Sequence, residues 1–461
     1  MPEPETPDLL HDAATRHAGR PAIIEAPTRL RVNWFTLDDL AHTWMRRLRG
    51  EGVEPRDRVV VVEPGGVRFA ALLFACLRLG AAMVPLSPRA PREERERVLA
   101  DARPRAIVED GEVAIPANPV PGAAGDAFVL YTSGTTGVPK GVRQTLANHL
   151  ASAAACRASL ATTEQDRWLL MLQPHHVGGL AMFLRSAAQA QPLIVVPRFE
   201  ERAILDALAL YQPTLVSAVP TMVTRLLAAG GRDRLRAVRV ILLGGAPAPL
   251  PRLREWIEEG LPVSASYGLT ETTSQITTVP PGRASELLGT AGVVNRGATI
   301  EILPRPDLAP AGDPDPASVG EIVAGGPSVS PGYVNPAIEG GPEGGRFRTG
   351  DLGRLRDGVL TVIGRIDDGI VTGGENVQPD EVEAVLRAHP AVRDAAVAGR
   401  PDLTWGEVVT AWVVGDGVTD EELGAWCRTR LAPAKLPRRW HRVASVPRSE
   451  GGKLRRRDLP D

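Results

Sequence analysis

Short apolar segments alternate with helical patterns through most of the chain. The segment RVVVVEP (58–64) predicts a buried strand, and an amphipathic stretch to Leu79 separates it from a second apolar run, AAMVPL (81–86). The same alternation recurs at segments 192–197, 214–220, 239–245 and 262–268. Strands that alternate with helices form parallel sheets covered by helices on both faces. We therefore expect an α/β fold with two doubly wound subdomains.

The pattern changes after about residue 288, where Gly- and Pro-rich turns separate short strands such as TIEIL and VLTVIGR. These predict an antiparallel, β-barrel-like subdomain. Beyond Arg365, a helix at PDEVEAVLRAH, a strand at EVVTAWVVG and a second helix predict a small α+β domain; Thr419 and Glu422 have the spacing of a capping box. The expected organisation is a large N-terminal domain (1–364) followed by a small C-terminal domain (365–461).

Composition excludes several classes of protein. The net charge is −2 and aromatic residues make up 4% of the chain, so neither a basic field nor stacking surfaces favour nucleic acid as a partner. The N-terminus MPEPETPDLLHD lacks the regions of a secretory signal. The longest apolar run is interrupted by Arg78 and Pro85, which argues against a membrane span. The three cysteines lie far apart in apolar segments, as expected for buried thiols in a reducing cytoplasm.

Lysine is rare in this chain. Lys140, Lys435 and Lys453 are the three lysines among 53 basic residues, and each lies in a distinctive motif. Arginine replaces lysine readily on a solvated surface, but not where a compact ammonium group must meet a single oxygen. The three positions are therefore candidates for such contacts.

The segment YTSGTTGVPKG (131–141) combines glycines, hydroxyl groups and one lysine. Such a segment can wrap phosphate oxygens with hydroxyl and backbone N–H groups, although a flexible linker would have a similar composition. It is not a Walker P-loop, because Pro139 precedes the lysine and no Gly-Lys-Ser/Thr ends it.

A second polar segment, SYGLTETTSQ (266–275), follows a predicted strand, where open α/β sheets bind ligands. Tyr267 could stack on a base, Thr270 could donate to a phosphate, and Glu271 suits Mg²⁺ as an oxygen ligand. The simpler interpretation is an ordinary loop that caps a helix at Thr270. In RTGDLG (348–353), Asp351 lies in a predicted tight turn and could accept both ribose hydroxyls.

Two further motifs belong to the end of the chain. GRIDDGIVTGGENVQPDEVE (364–383) places Arg365 and Asp367 at the domain junction, where a hinge would absorb backbone rotation. PRSEGGKLRRRDL (447–459) presents Lys453 on a glycine-rich turn. We interpret the arginines that follow it, 455–457, as a solvated basic tail.

These motifs, in this order and together with LRLGAAMVPLSP, QPHHVGG and LLGGAP, resemble those of the adenylate-forming superfamily. That superfamily contains acyl-CoA ligases, peptide-synthetase adenylation domains and luciferases. The resemblance covers the chain from about Leu30 to Leu459. It implies an N-terminal domain that binds AMP and the acyl group, a mobile C-terminal lid, and the substrates ATP and coenzyme A with Mg²⁺.

The resemblance also implies roles for single residues. Glu271 would bind Mg²⁺, and Lys453 would bridge the substrate carboxylate and the α-phosphate. Asp367 would be the hinge whose rotation replaces Lys453 with Gly373 and Gly374 for thioester formation. The implied ATP contacts are Thr132, Ser133, Gly134, Thr135, Thr136, Gly137 and Lys140 at the β- and γ-phosphates, Thr270 at the α-phosphate, Gly245, Ala246, Pro247 and Tyr267 at adenine, and Asp351 and Arg365 at the ribose.

The acyl pocket is implied by the same comparison. His176 matches a family histidine of that pocket, whereas His175 replaces a residue that is usually aromatic; we expect His175 to be partly buried and hydrogen-bonded. Within the superfamily, SYGLTETTSQITT, HVGGLAM and the short chain most resemble the o-succinylbenzoate–CoA ligases of menaquinone biosynthesis. Ser274 and Gln275 would supply polar groups for such an acid, and Gly268 is a further acyl-binding position.

The acceptor is expected to be coenzyme A, because LAPAKLP keeps Lys435 of the ligases' C-terminal motif, although Ala434 replaces a tyrosine. Three alternatives stay open: a ligase for another aryl or fatty acid, an adenylation enzyme that loads a separate carrier protein, and a retired nucleotide-binding regulator. The regulator would be expected to lack Lys453 or Glu271, and both are present. A homodimer is left open.

Overall fold

The computed structural model describes residues 7–133, 139–246, 248–310, 312–373, 375–402, 404–449 and 452–460. Within them the α-helices are α1 (Leu9–His17), α2 (Trp34–Gly50), α3 (Val67–Leu79), α4 (Arg92–Ala102), α5 (Leu146–Leu160), α6 (Val177–Gln189), α7 (Glu201–Tyr211), α8 (Pro220–Ala228), α9 (Arg232–Arg236), α10 (Leu250–Glu258), α11 (Pro379–Arg387) and α12 (Asp420–Arg428). None of these helices is both long enough and apolar enough to cross a membrane.

The strands fall into three sheets. Their bounds are β1 (Pro21–Glu25), β2 (Leu30–Asn33), β3 (Arg58–Val62), β4 (Ala82–Pro85), β5 (Ala106–Glu109), β6 (Glu112–Ala114), β7 (Asp126–Ser133), β8 (Pro139–Thr145), β9 (Trp168–Leu170), β10 (Leu193–Val195), β11 (Leu215–Ala218), β12 (Val240–Leu243), β13 (Val263–Leu269), β14 (Ser274–Thr278), β15 (Gly292–Val294), β16 (Thr299–Pro304), β17 (Gly320–Gly325), β18 (Gly332–Tyr333), β19 (Arg346–Arg356), β20 (Val359–Arg365), β21 (Ile370–Thr372), β22 (Glu375–Val377), β23 (Val392–Asp402), β24 (Gly406–Gly415) and β25 (Arg439–Arg442).

The first two sheets confirm the predicted doubly wound architecture. One has the order β18-β8-β7-β4-β3-β5-β6, with β3 parallel to β4 and β5. The other begins β2-β1-β10-β9-β11-β12-β13, and β1 through β13 on this path are parallel. All six apolar segments named from the sequence contain one of these strands. Ten of the 13 residues of α3 are buried, and the hydrophobic core that includes them joins side chains of β3 and β9. A largely buried helix must be largely apolar, and the two charged residues of α3, Arg68 and Arg78, form ion pairs with Glu63 and with Asp8 and Asp38.

The predicted antiparallel part continues the larger sheet. Beyond β13 the order is β14-β15-β20-β19-β17-β16, and each of these pairs is antiparallel. The turn after β13 therefore lies where the parallel and antiparallel halves of the sheet meet. Polar residues of that turn face the end of the sheet at which ligands bind in α/β folds.

The third sheet belongs to the C-terminal part of the chain. It has the order β22-β21-β24-β23, and β25 also pairs with β24, in parallel. Helix α12 begins with the predicted capping box: Thr419 Oγ1 accepts the N–H of Glu422, and the Glu422 carboxylate accepts the N–H of Thr419 at 2.7 Å. The α+β expectation for this region is confirmed, whereas the exact boundary at residue 365 stays a prediction.

Candidate active site

The glycine- and hydroxyl-rich motif forms a β-hairpin. Strands β7 and β8 are its arms, and Thr132 faces Lys140 across the ladder. Tyr131 supports the hairpin: its hydroxyl donates to Asp101 at 2.7 Å, and its ring lies against Gly141, where an added Cβ would come within 2.9 Å. Gly134, Thr135, Thr136, Gly137 and the side chain of Ser133 lie outside the described residues, so their predicted phosphate contacts stay predictions.

The Thr270–Glu271 motif forms a 3-10 turn, Thr270–Thr272, directly after β13. Gln144 Nε2 donates to the Thr270 carbonyl at 2.7 Å, and the backbone N–H of Ser330 donates to the Glu271 carbonyl at 2.8 Å. The carboxylate of Glu271 is 9% exposed and accepts the Tyr333 hydroxyl at 2.9 Å. The turn is therefore held in place by strands β8 and β18.

The surroundings of Glu271 fit Mg²⁺ that arrives with a nucleotide. Among the residues described, no Lys or Arg forms an ion pair with this carboxylate, so none of them neutralises its charge. The described residues contain no group of three His, Cys, Asp or Glu that could hold a metal ion by itself. Mg²⁺ is commonly bound by one or two carboxylates, with water and substrate phosphates completing the octahedron. One isolated carboxylate matches that pattern.

The predicted ribose residues form an ion pair in which Asp351 is buried and Arg365 is partly exposed. Arg365 Nη1 donates to Asp351 Oδ1 at 3.0 Å, and the Tyr267 hydroxyl donates to Asp351 Oδ2 at 2.6 Å. Burial raises the pKa of Asp351, while Arg365, Tyr267 and Lys453 favour its charged form. Lys453 thus lies close enough to act electrostatically on Asp351, although the two residues are far apart in the sequence. Sequence reasoning placed Tyr267 at the adenine and missed its bond to Asp351.

The predicted adenine segment follows β12. Gly245 has φ +77°, a left-handed conformation that favours glycine, and both Gly245 and Ala246 are accessible. Pro247 lies outside the described residues.

The turn that carries Lys453 packs against the N-terminal domain. Ser449 N–H donates to the Lys453 carbonyl at 2.8 Å, and Gly452 has φ +78°. An added Cβ at Gly452 would lie 3.1 Å from Thr221 Oγ1 at the start of α8. The side chain of Lys453 is exposed. This arrangement brings Lys453 to the same region as Asp351, as the lysine's predicted role in adenylation requires.

The basic-tail interpretation of residues 455–457 is wrong for Arg456. Its guanidinium group donates to Asp368 at 2.7 Å, to Glu383 at 2.9 Å and to Asp380. Arg456 is largely buried, and these carboxylates raise its pKa against the opposing effect of burial. Its neighbour Arg455 is largely exposed, near Asp458. The sequence did not distinguish the two arginines because the carboxylates that bind Arg456 lie more than 70 residues away in the chain.

Replacing Arg456 with glutamine should therefore lower the free energy of unfolding by about 3 kcal/mol, since breaking one side of a buried ion pair leaves uncompensated charge. Urea denaturation of the full chain measures this effect. Arg455→Gln is the matched control and should change stability by less than about 0.5 kcal/mol, as exposed pairs do. Equal effects of the two substitutions would contradict the assignment of Arg456 as the anchor of this segment.

The residues predicted for the hinge and for coenzyme A binding lie in different surroundings. Asp367 is exposed, with its carboxylate 3.8 Å from Arg365. Gly373 has φ +58° and lies against the Trp405 ring, while Gly374 is outside the described residues. Lys435 is buried, and its Nζ donates to Glu381 at 2.6 Å. In this conformation the ammonium group of Lys435 thus has a structural partner, and its contact with coenzyme A stays a prediction.

The predicted acyl residues lie around the start of α6 and the turn before β14. His176 is exposed and precedes the first residue of α6, with the His175 ring centroid 4.4 Å from its own. His175 is half-buried, as expected, and burial lowers its pKa to about 3, so it is neutral. Gly268 has no room for a Cβ, which would overlap the carbonyl of Ser274. The hydroxyl of Ser274 donates to Gln275 Oε1 at 2.9 Å.

A buried cation next to these residues was missed from the sequence. Arg185 of α6 is 2% exposed, and its Nη2 donates to Gln275 Oε1 at 2.7 Å and to Ser152 Oγ at 3.3 Å. Its Nε has no hydrogen-bond partner, and no Asp or Glu of the described ranges forms an ion pair with it. A buried charge without a counter-ion is costly. An anionic ligand would supply the missing partner. The available signal was one arginine in the otherwise apolar stretch GGLAMFLRSAA.

A buried histidine lies between this cation and the Thr270 turn. His149 Nε2 is 2.8 Å from Gln144 Oε1. The amide N–H of Gln144 donates to the Thr270 carbonyl, which identifies Oε1 as the amide oxygen. Since an amide oxygen only accepts, His149 is the donor in this contact. Burial, and then the charge of Arg185, lower the pKa of His149 to about 3. The imidazole is therefore neutral at physiological pH.

His149 should make the protein less stable in mild acid. Its pKa is lower in the folded state than the ordinary value of 6.5, so the unfolded chain binds more protons between these values and stability falls as the pH falls. Between pH 7 and pH 5 this one group should contribute a loss of about 2 kcal/mol. Urea denaturation at both pH values measures it. In His149→Gln the loss should be smaller by about that amount; an unchanged loss would contradict the prediction.

Comparison with known proteins agrees with the order of these motifs. The sequence profile of the family described as AMP-binding enzyme matches residues 10–124 and 110–334, and that of the AMP-binding enzyme C-terminal domain matches 381–453. The 2-succinylbenzoate–CoA ligase of Bacillus velezensis is 39% identical over 430 residues, which cover 87% of each chain.

Solved structures show the same similarity. The o-succinylbenzoate CoA synthetase (MenE) of Bacillus subtilis in complex with the acyl-adenylate intermediate OSB-AMP has a TM-score of 0.88 and 34% identity, and the match covers 100% of this chain and 99% of that one. The same enzyme in complex with ATP and magnesium ion has a TM-score of 0.87 and 34% identity, covering 99% and 100%.

Proposed function

The chain belongs to the AMP-binding enzyme family, and on that premise we propose that it is an ATP-dependent 2-succinylbenzoate–CoA ligase of menaquinone biosynthesis. Its substrates are the acid, ATP and coenzyme A, and its cofactor is Mg²⁺. The relatives described above, with ligands named as OSB-AMP and as ATP with magnesium, support this proposal. The three cysteines are buried free thiols, consistent with a cytoplasmic enzyme.

The observation that carries the choice of acid is the buried guanidinium of Arg185, which donates to Gln275 and Ser152 but forms no ion pair with a carboxylate of the described residues. 2-Succinylbenzoate has two carboxylates and a keto group, so one carboxylate can react while the other remains available as a counter-ion. Arg185 would bind that second carboxylate, because a guanidinium pairs well with the planar carboxylate geometry. Ser274 and Gln275, next to Arg185, would complete the polar wall. A fatty acid or a simple benzoate would bring no second carboxylate to serve as a counter-ion for this buried cation.

The first half-reaction joins two anions. A carboxylate oxygen of the acid attacks the α-phosphorus of ATP, the bond to the β-phosphate oxygen breaks, and pyrophosphate leaves. Lys453 would neutralise the developing charge, with Thr270 at the α-phosphate and Lys140 at the departing phosphates. When bound, Mg²⁺ held by Glu271 would supply further charge stabilisation. Asp351 and Arg365 would fix the ribose.

The second half-reaction would need a different orientation of the C-terminal lid. The thiolate of coenzyme A attacks the acyl carbon of the adenylate and AMP leaves. Lys453 is then no longer required, and rotation about Asp367 would replace it with the segment at Gly373. The exposed carboxylate of Asp367, bound only loosely to Arg365, suits such a hinge.

The test is pyrophosphate release with Mg-ATP and a panel of acids: 2-succinylbenzoate, benzoate, medium-chain fatty acids and amino acids, each with and without coenzyme A. Turnover with 2-succinylbenzoate that requires coenzyme A, and a thioester product identified by mass, are the expected results. Turnover confined to another acid would overturn the choice of substrate. Adenylation without thioester formation would point instead to a carrier-protein acceptor.

A further inference from the structure

Tyr333 connects two site residues that come from different motifs. Its hydroxyl donates to Glu271 Oε1 at 2.9 Å, and Lys140 Nζ lies 5.6 Å from the centre of its ring. The side chain is 8% exposed. Nothing in the sequence motifs assigned a role to this tyrosine, which lies more than 60 residues from Glu271 and more than 190 from Lys140.

The backbone around Tyr333 is tied to the phosphate-binding hairpin. Strand β18 pairs with β8, where Tyr333 faces Val142, and the N–H of Val334 donates to the Gly141 carbonyl at 2.8 Å. Ser330, three residues earlier, holds the Glu271 carbonyl through its N–H and the Arg143 carbonyl through its hydroxyl at 2.6 Å. The tyrosine is thus fixed between the hairpin and the Thr270–Thr272 turn.

We propose that Tyr333 is a positioning residue that orients Glu271 toward the metal of the metal–nucleotide complex and links this carboxylate to Lys140 at the phosphates. The inference deepens the proposed function, because it rests on Glu271 as the metal ligand. It does not depend on which acid is adenylated.

The chemistry of the contact supports this role. A hydroxyl that donates to Oε1 fixes the carboxylate plane, while Oε2 has no hydrogen-bond donor among the described residues and is left for a hard cation. Outer partners of this kind set the orientation of metal ligands in proteins. A carboxylate oxygen accepts hydrogen bonds, so the Tyr333 hydroxyl is the donor in this contact. The ring, in turn, offers its face to the Lys140 ammonium.

The experiment separates metal binding from catalysis. Calorimetric titration of the full chain with α,β-methylene ATP, which cannot release pyrophosphate, gives a dissociation constant with and without Mg²⁺. The dissociation constant without Mg²⁺ divided by that with Mg²⁺ measures how much the metal strengthens nucleotide binding. In Tyr333→Phe this ratio should fall about tenfold, the effect of losing a partner of a metal ligand, while metal-free binding of the nucleotide stays unchanged.

A matched control is Tyr211→Phe, which removes a buried hydroxyl without a hydrogen-bond partner among the described residues, and should leave the ratio unchanged. Tyr333→Leu also removes the ring next to Lys140 and should weaken metal-free binding as well. Glu271→Gln distinguishes the two assignments. If Glu271→Gln lowers the ratio and Tyr333→Phe does not, the inference on Tyr333 is overturned. If Glu271→Gln leaves the ratio unchanged, Glu271 is not the metal ligand and the site assignment itself fails.

Discussion

Replacing Lys453 with alanine should lower the rate of adenylate formation by about a thousandfold and leave thioester formation from a pre-made acyl-adenylate nearly unchanged. In the first half-reaction a carboxylate approaches an anionic phosphate, so a preorganised cation stabilises the transition state far more than the ground state. The structure places the turn of Lys453 against Thr221 and within electrostatic reach of Asp351, which agrees with this step. In the second half-reaction the attacking group is a thiolate and the leaving group is AMP, so this cation is not needed.

Two assays measure the prediction: pyrophosphate release for the first half-reaction, and thioester formation from synthetic 2-succinylbenzoyl adenylate with coenzyme A for the second. Arg455→Ala is the control, because it removes an exposed cation two residues away. Loss of both half-reactions to the same extent would contradict the rotation of the C-terminal lid between them, although Lys453 would still be required.

Replacing Arg185 with methionine should lower kcat/KM for 2-succinylbenzoate by a factor of 10² to 10³. Removal of one partner of a buried charge pair costs about 2–5 kcal/mol, and here the substrate carboxylate would lose its counter-ion. The free energy of unfolding should stay the same or rise, because the free protein no longer buries a cation that has no counter-ion among the described residues. Loss of activity combined with retained or increased stability is the signature of a binding residue rather than of a structural one.

Steady-state kinetics and urea denaturation of the same variant test both statements. Arg157→Met, at an exposed position of α5, is the control and should leave both quantities unchanged. For an acid without a second carboxylate that the enzyme turns over, Arg185→Met should lower kcat/KM only slightly. If Arg185→Met lowers stability and activity together, the arginine is structural and the choice of acid loses its main support.

Local patterns in the sequence were enough to predict the fold class and the more apolar of its strands. Strand β3 and helix α3 could be identified because a buried strand and a buried helix are apolar along their own length, and α12 because its capping box spans four residues. The glycine-rich hairpin and the Thr270–Glu271 turn were recognisable for a similar reason. Their chemistry is carried by residues that are neighbours in the chain, and each motif is short enough to be read on its own.

Contacts between distant segments were decided only by the tertiary structure. Arg185 reaches Gln275 across 90 positions, and Arg456 reaches Asp368 across 88. A single arginine in a helix, or one of three in a row, has the same local pattern whether it is exposed or buried, so the sequence assigned no role to the first and a solvated tail to the second. Tyr333 likewise acquires a partner only when β18 pairs with β8. Sequence periodicity indicates which face of an element is apolar. Packing decides which polar side chains that face encloses, and with them the proposed acyl pocket and the support of Glu271, the proposed metal ligand.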